Sequence, residues 1–147
     1  MTGHRLLEVL REHQATYVAE TDSWRLGGST WRATVIVAPG RWLGLEFEAR
    51  DPATGRSATY DIDTDLYDIS QEAQREFAAG IERDIIEFLG HLRTGAVLRG
   101  HAGTKFVLVF PLDGAYVRVV KGRFLTRAST HSDRTTAQTG GGYVPVD

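Results

Sequence analysis

From Tyr17 to Asp65 apolar residues recur at every second position, and this alternation commits the stretch to antiparallel sheet. Trp31, Ala33, Val35 and Val37 alternate with Arg32, Thr34 and Ile36. Leu43, Leu45, Phe47 and Ala49 alternate with Gly44, Glu46, Glu48 and Arg50, and Ala58, Tyr60 and Ile62 with Thr59, Asp61 and Asp63. Successive side chains of a strand point to opposite faces, so this pattern buries one face and wets the other. The breaks at Gly27-Gly28, Pro39-Gly40 and Pro52 to Gly55 are turn chemistry. Together they predict four antiparallel strands over 16–26, 30–38, 41–51 and 57–65.

The period then changes. Over residues 70–92, Phe77, Ile81, Ile85, Phe88, Leu89 and Leu92 fall on one stripe of a helix. Asp68 and Gln71 have the spacing of a capping box, and Gly95 stops the segment. A shorter amphipathic helix is expected over 4–14, with Leu6, Leu7 and Leu10 inward and Thr2 as its cap. Three further strands follow, over 95–99, 105–112 and 115–120, the last two joined by Asp113-Gly114. Lys121-Gly122 then turns the chain into 123–128. The expected fold class is α+β, an antiparallel β-sheet with helices packed on one face. Its order is helix, four-strand meander, long helix, three-strand meander. Residues 1–128 are expected to form one domain. Residues 129–147, rich in Ser, Thr and Gly, are expected to be a flexible C-terminal tail.

A length of 147 residues is one domain's worth. The absence of cysteine excludes disulfides, thiolate zinc sites and a cysteine nucleophile. No apolar run approaches the ~20 residues that span a bilayer. Charged residues interrupt the N-terminal leucines, so no signal peptide is expected and the location expected is cytoplasmic. The net charge of -2 hides an asymmetry. Residues 1–40 balance four Arg against four Asp/Glu; residues 41–90 hold five Arg against twelve acids; residues 91–147 hold eight Lys/Arg against three. Such halves neutralise one another within a fold or across a homodimer, or they form two surface patches.

No motif names a reaction. Asp61, Asp63 and Asp65 with Glu72 have the spacing of a calcium loop, but Leu66 stands where its sharp turn needs glycine. Gly100 to Lys105 lacks the phosphate-loop spacing and runs into a strand. The five histidines form no paired ligand spacing, so neither metal nor cofactor is expected. Ser129, His131 and Asp133 are the residue types of a catalytic triad, yet they lie too close in sequence to make its hydrogen-bond chain. Arg118, Lys121, Arg123 and Arg127, with Tyr116 and Phe124, are read as a strand face rather than a nucleic-acid surface.

The acidic side of the sheet is where the alternation points to function. The expected register sets Glu48 opposite Asp61 and Glu46 near Asp63, and like charges across neighbouring strands oppose folding by a few tenths of a kcal/mol per pair. Trp42 falls on the same side, an aromatic beside acids as at many binding hot spots. The expected function is therefore a non-enzymatic protein-binding module. Trp42, Glu46, Glu48, Asp61 and Asp63 would bind a basic partner protein, with no membrane or nucleic acid involved. In type, with no motif behind it, such a domain resembles immunity proteins and effector chaperones. The alternative is a small-ligand-binding or enzymatic α+β domain, with Tyr60, His91 and His101 lining a cavity between sheet and long helix.

Overall fold

The computed structural model describes residues 4–38, 42–63 and 72–147, the Trp42 side chain excepted. The fold is α+β, with antiparallel sheets as expected, but the strands form two five-stranded sheets. The order is α1 (His4–Glu12), β1 (Thr16–Val18), β2 (Ser23–Gly27), β3 (Trp31–Ala38), β4 (Trp42–Arg50), β5 (Ser57–Asp63) and α2 (Glu72–Thr94). There follow β6 (Leu98–Ala102), β7 (Lys105–Leu112), β8 (Ala115–Lys121), β9 (Thr126–His131), α3 (Arg134–Ala137) and β10 (Gly141–Pro145). Thr2, the Pro39-Gly40 turn and the Asp68–Gln71 capping box lie outside the described residues. Two compact units divide the chain. One comprises Met1–Gly27, Arg32–Phe47 and Asp61–Glu87; the other comprises Gly28–Trp31, Glu48–Tyr60 and Phe88–Asp147.

In the first unit the alternation appears as drawn from the sequence. Ala33, Val35 and Val37 of β3, Leu45 and Phe47 of β4 and Ile62 of β5 are buried, while Arg32, Glu46, Asp61 and Asp63 are exposed. The expected strand over 16–26 is instead the β1–β2 hairpin, with Asp22 at φ 49° in its turn. Asp tolerates this left-handed conformation better than most residues, and its carboxylate accepts a 2.6 Å bond from the Tyr17 hydroxyl. Helix α1 buries Leu6, Val9 and Leu10.

Helix α2 departs from its expected stripe at one end. Ala78 and Ile85 are buried, but Phe77 is 46% exposed. At about 100° per residue, Ala78 lies within about 20° of the Ile85 direction, whereas Phe77 lies about 80° away. An i, i+4, i+8 series drifts round the helix, and by two steps it has left the buried face.

The second unit is built on β7, whose residues Phe106 to Phe110 are all buried. Phe110 packs edge-on against both Phe88 and Tyr60, with ring centroids 5.0 Å apart in each pair. Val107 and Val109, which point the other way, form a cluster with Ala137 of α3, against which Tyr143 of β10 also packs. The segment 129–147, expected as a flexible tail, thus carries the end of β9, then α3 and β10. Strand β10 pairs with β6, giving the order β10-β6-β7-β8-β9. Arg118 fixes it: Nη1 donates to the carbonyls of Ala137 (2.9 Å) and Thr139 (2.6 Å) and lies 3.1 Å from the Tyr143 hydroxyl. Gly100 of β6 leaves room for the Tyr143 ring, which a Cβ would meet at 2.6 Å.

Strand boundaries in this unit move toward the C-terminus. The expected strand 95–99 is β6 at Leu98–Ala102, because Gly95 at φ 78° and the bond from Ala96 N to His91 O still belong to the end of α2. The expected continuation over 123–128 is β9 at Thr126–His131, because Gly122 N bonds Leu125 O at 2.9 Å and holds Arg123, Phe124 and Leu125 in the turn.

Phe47→Ala and Ile85→Ala are each expected to lower the unfolding free energy by about 2–5 kcal/mol, as buried large-to-small changes do. Phe77→Ala is expected to cost about 1 kcal/mol or less. Urea denaturation of the three variants measures this; equal losses at Phe77 and Ile85 would put Phe77 in the core.

Candidate functional site

The charge asymmetry of the sequence coincides with the two units. The first holds seven Lys/Arg against fourteen Asp/Glu, net -7; the second holds ten against five, net +5. In the first unit Glu46 leaves β4 between buried Leu45 and Phe47, and Asp61 and Asp63 leave β5 on either side of buried Ile62. Alternation alone aims these carboxylates at solvent, because their neighbours along each strand must point inward. Although exposed, Asp61 is partly desolvated by its surroundings, which pushes its carboxyl up, and the charge of Asp63 two residues along adds to the rise. The fold therefore disfavours the ionised form of Asp61. Glu48 has the same parity on β4, belongs to the second unit and is half-buried. Trp42 begins β4, and its side chain lies outside the described residues. Asp65 also lies outside them, and among the described residues no three His, Cys, Asp or Glu are grouped to hold a metal ion.

Two of the polar groups assigned to the alternative cavity have partners within the second unit. Tyr60 is engaged with Phe88 and Phe110. His91 is half-buried near the end of α2. His101 of β6 donates from Nε2 to Oδ2 of Asp51 at 2.9 Å. Two open hollows of the second unit, of about 240 and about 420 Å³, are lined by residues other than Tyr60, His91 and His101. Ser129 Oγ and His131 Nε2 do meet, at 2.9 Å, since residues two apart share a strand face. Asp133, however, spends both oxygens on Thr136 as the cap of α3 and does not orient the imidazole as a triad requires.

Asp51 is the polar residue whose role the alternation did not disclose. It is 1% exposed, just after β4. Its Oδ1 accepts from Ala53 N at 3.0 Å and its Oδ2 from Thr54 Oγ1 at 2.8 Å as well as from His101. Burial pushes this carboxyl up, but the bonds from His101, Thr54 and Ala53 outweigh it and hold the group below the ordinary carboxylate range. An ionised carboxylate only accepts, so the imidazole carries a proton on Nε2. Arg56 in the same loop donates to the carbonyl of Thr104 at 3.0 Å. The two bonds join the β4–β5 turn to the β6–β7 hairpin. The signal for it was Asp51-Pro52-Ala53-Thr54-Gly55, where Asp bonds the backbone two residues on.

A carboxylate with a lowered folded pKa contributes stability above its unfolded pKa and loses it as pH falls through the folded value. Wild-type stability is therefore expected to fall as pH drops below about 5, in part through Asp51, and Asp51→Asn is expected to flatten that slope. His101→Ala is expected to cost about 1–3 kcal/mol at neutral pH by removing a partner of a buried charge. Urea midpoints across the acid range measure both; an Asp51→Asn slope as steep as wild type would contradict the assignment.

No family model, curated protein or solved structure matches this chain.

Proposed function

We propose that this protein is a non-enzymatic protein-binding module, immunity-protein-like or effector-chaperone-like, whose acidic strand face takes a basic partner protein in the cytoplasm. The observation that carries the proposal is the placement of Asp61 and Asp63, both exposed on β5 on either side of buried Ile62. Partial desolvation and the neighbouring Asp63 raise the Asp61 carboxyl, so a cation brought near would favour its ionised form. Exposed carboxylates on one strand face are what a complementary charged partner would use, since opposite potentials speed encounter and select the partner. Glu46 is exposed on neighbouring β4, in a unit with net charge -7. The enzymatic alternative relied on Tyr60, His91 and His101 converging, and the bonding of Tyr60 and His101 gives it no support.

The double variant Glu46→Gln plus Asp61→Asn separates binding from stability. It is expected to melt at or slightly above the wild-type temperature, because like-charge repulsion is relieved. Association with a partner isolated from the native host is expected to slow by about tenfold at low salt, with the gap narrowing as salt rises. Thermal melts and binding kinetics at two salt concentrations measure this. A variant that melts lower and associates as fast as wild type would return these acids to local ion pairing.

A further inference from the structure

We propose that the outer edge of β9 and the β8–β9 turn form a second docking site, which takes an extended acidic segment of a partner protein as an added strand. The site belongs to the positively charged unit and is independent of the acidic face. Strand β9 pairs with β8 in unbroken register, from Tyr116↔His131 to Lys121↔Thr126, and ends the sheet order, so among the described residues no strand pairs with its outer side. Thr126 to Thr130 are all exposed.

Proteins usually blunt such edges. The opposite edge strand, β10, carries Pro145 and a register irregularity between Gly141 and Val144. Strand β9 is Thr-Arg-Ala-Ser-Thr-His, with neither proline nor bulge and with β-branched threonines at positions 126 and 130. Its unpaired backbone groups are a template for another strand.

The adjoining turn supplies the chemistry of recognition. Phe124 is 80% and Leu125 60% exposed, a neighbouring apolar pair left in water. The Arg123 guanidinium carbon lies 5.4 Å from the Phe124 ring centroid. Lys105, Arg123 and Arg127 line, with Val120, Phe124 and Leu125, the open hollow of about 420 Å³. Neither these three cations nor Lys121 takes part in an ion pair among the described residues. Cations fit carboxylates, the apolar pair fits the aliphatic residues between them, and the strand edge fits an extended backbone. A lipid surface answers the first two features and not the third, because it has no amides to continue the ladder. An alternating acidic and aliphatic peptide answers all of them, its acids falling on one face and its aliphatics on the other.

The test uses a fluorescein-labelled nonapeptide of alternating glutamate and valine, read by fluorescence anisotropy on the full chain. Saturable binding is expected, weakened at least roughly tenfold by Arg123→Gln plus Arg127→Gln and by Phe124→Ser plus Leu125→Ser. Methylating alternate amide nitrogens of the probe is expected to abolish binding to the wild-type chain, a readout needing no variant. The Glu46→Gln plus Asp61→Asn variant is expected to bind the probe as wild type does, which separates this site from the acidic face. Absence of saturable binding, indifference to amide methylation, or equal binding of a lysine–valine peptide would overturn the proposal. So would tighter capture by phosphatidylglycerol vesicles, which would make the surface a lipid site. Self-association lost in the Phe124 and Leu125 variant would also overturn it, giving the edge to a second copy.

Discussion

An uninterrupted apolar run in the middle of a sheet must be covered on both faces, and the second unit follows from that requirement. Phe106, Leu108 and Phe110 alternate with Val107 and Val109 along β7, and all five are buried. The first set needs Phe88 and Tyr60 over Phe110. The second set needs something on the opposite side, and the chain supplies Ala137 and Tyr143 from its last twenty residues. Apolar area taken from water there contributes about 25 cal/mol per Å², which offsets part of the conformational entropy lost in ordering the segment.

Polar contacts then fix what apolar burial leaves loose. The Arg118 guanidinium takes up the carbonyls of Ala137, at the end of α3, and of Thr139, the latter shared with the Tyr143 hydroxyl. Thr30 N donates to the main-chain oxygen of Asp147 at 2.6 Å, and Val146 N to Val97 O at 2.9 Å, holding the last residues of the chain. The Asp51–His101 bond does the same for the β4–β5 turn. In each case a hydrogen bond to a charged or backbone group sets position, and burial supplies most of the free energy. Net charge divides by unit, -7 on the first and +5 on the second.

Strict alternation made β3, β4 and β5 legible in the sequence, and with them the outward aim of Glu46, Asp61 and Asp63. The long helix was legible from its spacing, except at Phe77, where the match to an i+4 series hid the angular drift. The ordering of 129–147 was not legible from that segment, since its serines, threonines and glycines carry no periodic signal. It was implicit elsewhere: five apolar residues in succession on β7 call for two covers, and the long helix provides residues for only one. Asp51 was passed over because a turn aspartate before proline explains itself locally, and its contact with His101 joins positions fifty residues apart. The polar residues of the alternative cavity were chosen by type. Residue type did not disclose that the Tyr60 ring packs edge-on against Phe110.

Hydrogen exchange of backbone amides is the direct measurement of whether the C-terminal segment belongs to the core of the second unit. If Ala137 and Tyr143 cover β7, amides in 141–146 open only when those in 106–110 open, and the two segments show the same free energy of exchange, near that of global unfolding. Exchange in 141–146 at the rate of an unstructured chain, with 106–110 still protected, would contradict the account.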